Sequence, residues 1–173
     1  MGLIKALFKF VGYVVAVLVI AVGIMMVVAQ FSDGPLEIVA GGPFKSGEQA
    51  TEEPDWSFLG DVNTVEFQLL DPDDSRTTWI AEVDGRVFIP CGYMTTWWGK
   101  IWKQWPSEAV RDGRVILRAN GKLYDRRLVR IESGPEIEPI LAELGRKYGG
   151  GAPFPVEAVT SGYLWIFELT PRN

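Results

Sequence analysis

The 173-residue sequence predicts an α+β chain, with one membrane-spanning helix ahead of a small domain or partly open barrel of mostly antiparallel strands. Three observations predict it. The amino terminus carries a long uncharged apolar stretch, two hairpin-turn dipeptides separate alternating apolar segments, and one amphipathic helical stripe lies near the carboxyl end. Apolar residues make up 47% of the chain against 23% charged, which excludes a disordered polypeptide. The chain has no histidine, so Ser-His-Asp and Cys-His nucleophile systems and imidazole ligation of zinc or haem are excluded. A single cysteine, Cys91, excludes an intramolecular disulfide and any thiolate cluster.

Phe10 to Ala29 is a run of 20 residues without a charge. As a helix rising about 1.5 Å per residue it covers roughly 30 Å, the depth of a bilayer's hydrocarbon. Lys5 and Lys9 precede it, and the first charges after it are the acids Asp33 and Glu37. The positive-inside rule keeps the amino terminus in the cytoplasm and exports the rest, a single pass through the inner membrane. Val27-Val28-Ala29 has the spacing of a signal-peptidase site, and cleavage is the alternative, but the run exceeds the usual apolar core of a signal. Residues 1–30 are thus read as an anchor in the lipid bilayer. Residues 31–56, rich in Gly, Pro and acids and without period, are read as a linker, and residues 57–173 as the domain.

About six strands and two helices are expected in the domain. Val62–Leu70 is a strand, turned by Asp71-Pro72-Asp73-Asp74-Ser75. Asp84-Gly85 joins TTWIAEV to RVFIPC, and Asn120-Gly121 joins RVILRA to KLYDRRLVRI, both suiting type I′ turns. Alternation puts Ile80, Val87, Ile89 and Cys91 on one face, and Val115, Leu117, Ala119 and Tyr124 on another. Tyr163–Thr170 is so apolar that both of its faces are expected to be covered. Residues 97–105 form a Trp-rich turn or helix ended by Pro106. Residues 135–148 place Ile137, Ile140, Leu141, Leu144 and Tyr148 on one stripe, with Ser133 and Glu136 spaced as a capping box.

GRVFIP, a Trp-containing helix, AVRDGRVILRANGKLYDRRLVRI, a helix ending RKYG, and LWIFELTPR follow one another over roughly residues 60–172. This succession resembles the pyridoxamine-phosphate-oxidase-like, FMN-binding split β-barrel superfamily, in a membrane-anchored branch. The resemblance implies a split barrel, a homodimer, and FMN or deazaflavin as the cofactor of a redox role. It also implies a phosphate site of Arg76, Thr77, Thr78 and Lys100, with Trp98 and Trp102 against the ring. The family's Ser/Arg/Lys phosphate phrase is replaced here by Met94-Thr95-Thr96-Trp97-Trp98-Gly99.

Residues 31–99 hold 13 acids and 3 bases, whereas 100–147 hold 7 acids and 11 bases. An arginine-rich hairpin from Arg111 to Arg130 suits either an anionic ligand or docking against the acidic segment of the same chain. Beyond the anchor the chain is net negative, so no nucleic-acid partner is expected. No metal is expected either, because Asp71–Ser75 leads to Arg76 where a calcium loop needs glycine. Trp97, Trp98, Trp102 and Trp105 suit a core, a membrane interface, a partner surface or a stacked ligand. Tyr93, Tyr124 and Tyr163 suit ligand donors or core caps, and Cys91 a buried inert thiol. No nucleophile–base pair is visible, so catalytic residues are left open, and a non-catalytic module of a membrane complex is the alternative function.

Overall fold

The computed structural model describes residues 2–172. Helix α1 (Gly2–Ala29) contains one stretch, Ile4–Ala29, long and apolar enough to cross a membrane. Its apolar side chains have no protein cover until Ala29, which is fully buried.

Among the described residues the rest is a curled sheet with four α-helices and one 3-10 helix, Trp56–Asp61. Its strands are β1 (Glu48–Gln49), β2 (Thr64–Leu69), β3 (Ser75–Trp79), β4 (Ala81–Val83), β5 (Arg86–Cys91), β6 (Arg114–Ala119), β7 (Lys122–Ile131) and β8 (Trp165–Pro171). They lie in the order β3-β2-β6-β7-β8-β5-β4, antiparallel throughout, with β1 added parallel to β7. The two edge strands, β3 and β4, are consecutive in the chain and separated only by Ile80. Adjacent Cα atoms are about 3.8 Å apart, so the two edges of the sheet must meet at Ile80. The sheet therefore curls into a half-open barrel: an α+β split barrel behind an apolar amino-terminal helix.

Tyr148, on α4 (Ile137–Tyr148), fastens that joint. Its hydroxyl accepts from Ile80 N at 3.0 Å and lies 2.8 Å from Ile80 O and 2.7 Å from Asn63 O. With one proton it donates to one of these two carbonyls at a time. Its ring stacks on Trp79 at 4.4 Å, almost parallel.

Two apolar clusters flank the sheet. Phe67, Leu69, Ile80, Val87, Ile89, Leu117 and Phe167 fill the barrel interior. Ala81, Phe88 and Ile166 meet the Ile137, Ile140, Leu141 and Leu144 stripe of α4 on the outside. Strand β8 serves both, sending Phe167 and Leu169 inward and Ile166 outward, so its two faces are covered as its composition predicts. Both hairpin dipeptides take the positive φ that a type I′ turn demands, 53° and 77° at Asp84-Gly85 and 49° and 75° at Asn120-Gly121.

Some local expectations are corrected. There are eight strands instead of six, because TTWIAEV breaks at the Ile80 bend into β3 and β4, and residues 48–49 add β1. The Trp-rich helix does not run to Pro106. It is α2 (Trp97–Trp102), and Pro106 lies in the first turn of α3 (Trp105–Arg111), where its missing N–H costs nothing. Trp105 therefore belongs to α3, apart from Trp98 and Trp102, and is buried against Phe67 and Phe167. The capping box does not form, since α4 begins after Glu136 and places that residue at the N-cap without a side-chain bond. A fourth short helix, α5 (Glu157–Thr160), precedes β8.

Residues 31–56 lie along the barrel. Gly42 N donates to Ala29 O at 2.9 Å, Gly41 bridges Ser75, and Phe44 N donates to Gln68 Oε1 at 2.7 Å. Glu53 pairs at 2.7 Å with Arg126, whose buried guanidinium lies over the rings of Trp56 and Tyr124.

Replacing Tyr148 by Phe keeps the ring stack but strands the Ile80 amide. A loss of roughly 1–3 kcal/mol is expected, read as a lower Tm of the detergent-solubilised protein.

Candidate functional site

The barrel's seam opens beside Ile80. Beyond the Gly41 bridge at Ser75, strand β3 pairs only with β2, and β5 loses β4 beyond Phe88, so residues Ile89–Cys91 pair only with β8. Pro90 has no N–H to donate across the gap. A cleft of about 410 Å³ occupies the seam. Thr77, Thr78 and Trp79 of β3 form one wall, Pro90, Gly92 and Tyr93 the opposite one, and Leu144, Phe154 and Leu164 an apolar back.

Tyr93 is held in an unusual way. Its φ is 68°, a left-handed conformation that costs a non-glycine residue about 1 kcal/mol or more. The surroundings fix it: Thr96 N and Thr96 Oγ1 both donate to Tyr93 O, at 3.1 and 2.7 Å, and Met94 N donates to Tyr163 O at 3.0 Å. The same Thr96 hydroxyl caps α2 by accepting from Gly99 N. The Tyr93 ring meets Tyr163 edge-on at 5.2 Å and Trp98 at 4.7 Å. Lys103, also in the cleft wall, sets its ammonium 5.3 Å from the Tyr93 ring centre. The cleft thus combines flat aromatic faces, two threonines and one cation. Burial, with Tyr93 alongside, pushes the Tyr163 phenol up, so it is a neutral donor at physiological pH. Burial also raises the Cys91 thiol to about 11, leaving it unreactive behind the seam.

Of the residues singled out in the sequence, Thr77 and Thr78 line the cleft and Trp98 backs Tyr93. Trp102 is 65% exposed. Arg76 is engaged with Asp74 at 2.7 Å and Glu108 at 3.9 Å. Burial, partly offset by Arg76, raises the Asp74 carboxyl above its ordinary range. Lys100 falls within α2, and its side chain is outside the described residues. Lys103 follows Lys100 in the region where the resemblance puts the phosphate phrase, and Trp79 lies on a strand near the other tryptophans that suit a stacked ligand; Pro90 joins the site without having been singled out for it. Only the chain's curl brings these three together.

A larger open groove, about 980 Å³, runs between β2, β6 and residues 33–47. Arg118 faces it, bonded to Glu66 at 2.6 Å and Asp33 at 2.9 Å and lying over the Phe44 ring. With Arg126 on Glu53, the hairpin docks on the acidic segment of its own chain. Among the described residues no three His, Cys, Asp or Glu side chains gather to hold a metal ion.

No protein-family model matches the chain, and no curated protein matches it. Among solved structures it is similar to the conserved hypothetical protein Rv2991 from Mycobacterium tuberculosis, at 14% identity and a TM-score of 0.47, over 76% of this chain and 86% of that one. It is also similar to a Listeria innocua protein described as "Putative Pyridoxamine 5'-phosphate oxidase", at 11% identity and a TM-score of 0.45, over 68% of this chain and 90% of that one. Neither likeness says what this chain binds.

Gly99 has no room for a side chain, because a Cβ there would stand 2.0 Å from Tyr93 O. Gly99→Ala is expected to cost about 1–3 kcal/mol and to change the tyrosine and tryptophan fluorescence. Gly92→Ala, whose Cβ meets nothing within 4 Å, leaves Tm unchanged. Asp33, bonded by Ser46 and by Lys45 N and paired with Arg118, is held well below the ordinary carboxylate range. Folding lowers its pKa, so its stabilisation is complete above that range and fades as pH falls through it. Asp33→Asn therefore lowers Tm at neutral pH, and the gap from the parent narrows below about pH 4 in a thermal-melt series.

Proposed function

We propose that this is a single-pass membrane protein whose barrel is exported and binds a planar anionic ligand of flavin type, FMN or a deazaflavin, in the barrel seam for a redox role. The observation that carries the reading is the seam cleft, where one ammonium stands among aromatic faces and Thr77 and Thr78 line the wall. Its volume of about 410 Å³ suits a small organic ligand. Lys103 holds the anionic group, and Thr77 and Thr78, whose side chains alternate across β3, offer one hydroxyl to it. Trp79 and Tyr93 flank the ring, Tyr163 offers a neutral O–H, and the apolar back excludes water. Bound there, a flavin would supply the electron transfer, and the protein would orient it. The two lysines before α1 and the acids after it support a cytoplasmic amino terminus.

A second reading is favoured by α2. Trp97, Ile101 and Trp102 are 76%, 65% and 65% exposed. Such an apolar surface suits a non-catalytic module that joins a membrane complex and leaves the seam empty.

Titrating the purified full-length protein with FMN or a deazaflavin, by ligand fluorescence, separates the two. Saturable binding that weakens roughly tenfold in Lys103→Ala, the effect of one charge-assisted bond, supports the ligand site. Lys122→Ala, on the Asn120-Gly121 hairpin, is the unaffected control. A colourless protein that binds neither flavin supports the interaction module.

A further inference from the structure

The loop that follows the anchor starts and ends at the same place. Ala29 O accepts from Ser32 N at 3.0 Å and from Gly42 N at 2.9 Å, so residues 31–41 leave the last turn of α1 and return to it. Within the loop, Leu36 and Val39 exchange both backbone bonds, at 3.0 and 2.9 Å, and put Glu37 and Ile38 at the tip. Ile38 lies four residues before Gly42, so it stays within roughly 14 Å of the residue that is bonded to the anchor's end.

The side chains on this short leash are apolar and bare. Ile38 is 85% exposed, Phe31 73% and Leu36 40%. Of the two carboxylates there, Asp33 is tied to Ser46, Lys45 N and Arg118, and Glu37 is exposed at the tip, where it can stay in the water beyond the headgroups. The neighbouring cation points the other way: exposed Lys45 sets its ammonium 2.6 Å from Phe31 O, at the boundary where the apolar run stops. Apolar side chains at the foot of a spanning helix, with a cation at the same level, match a bilayer interface, where hydrocarbon gives way to phosphates.

We propose that residues 31–41 are an interfacial foot. Phe31 and Ile38 insert among the lipid headgroups beside the anchor, Lys45 sits at phosphate level, and the barrel is thereby held at a fixed tilt over the membrane. This rests on the reading of α1 as a membrane span.

The test uses the full-length chain in vesicles of phosphatidylcholine and phosphatidylglycerol, labelled with an environment-sensitive fluorophore at one introduced cysteine. The native Cys91 thiol is buried and unreactive. Three sites are compared: Ile38→Cys at the loop tip, Val19→Cys within the anchor, and Ser133→Cys, exposed beyond the far end of β7. Strand β7 is ten residues long, which puts Ser133 roughly 30 Å from the turn that it starts from. The Ile38 label is expected to emit to the blue of the Ser133 label and to be quenched by a headgroup nitroxide lipid, while the Val19 label is quenched by an acyl-chain nitroxide. An Ile38 label as water-like as that at Ser133, beside a quenched Val19 label, overturns the foot and leaves the anchor standing. An unquenched Val19 label removes the anchor and the foot with it.

Discussion

The meeting of two sheet edges at one residue shapes everything else in the domain. Because β3 and β4 are separated by Ile80 alone, the sheet cannot lie open, and its interior must be filled by the side chains of one continuous cluster. The joint is also where backbone groups would otherwise lack partners. The Tyr148 hydroxyl supplies them, and it can do so because α4 is pressed onto the outer face of the sheet by its own apolar stripe. At the joint itself, the outer helix and the inner barrel are thus tied by one phenol, while Arg146 and Lys147 of the same helix donate to the carbonyls of Leu59, Gly60 and Val62. On one side of that tie the strands close, and on the other they part to make the cleft.

Charge follows the same economy. The arginines of the β6–β7 hairpin look like an anion site when read along the sequence. In three dimensions Arg118 and Arg126 are consumed by Asp33 and Glu53, which precede the barrel, and by Glu66 of β2. What is left to face a ligand in the seam is Lys103, on a helix end, beside the strained Tyr93. Backbone strain at a cleft, over-determined by bonds from Thr96, is the sort of feature found at binding sites.

Much of this was legible in the residues themselves. The hairpin dipeptides, the stripe of α4 and the two-faced β8 follow from periodicities that depend on local geometry alone. The bend at Ile80 was not legible, because TTWIAEV alternates as one strand and nothing in it marks the point where two edges meet. The split of the Trp-rich helix was missed for a related reason: Pro106 stops one helix or opens another equally well. For the site, the threonines of β3 and the lysines after the third strand come from the resemblance, and Trp79 from its place near the other tryptophans. Which of them meet in one cleft could not be read, since their nearness depends on how far the barrel curls, and Tyr93's left-handed backbone has no signature in its side chain.

The segment between anchor and barrel has a practical side. It brings six acids and one base, and two of the hairpin's arginines find their partners there. Cutting the polypeptide at residue 57 to obtain a water-soluble fragment would discard that counter-charge together with β1 and Trp56, uncovering guanidinium groups and part of the core at one stroke. A severed barrel of this kind would be stickier and more basic than its parent. For this chain the serviceable place to divide the apolar helix from the barrel is at the end of α1, so that residues 31–56 stay with the domain they pair with.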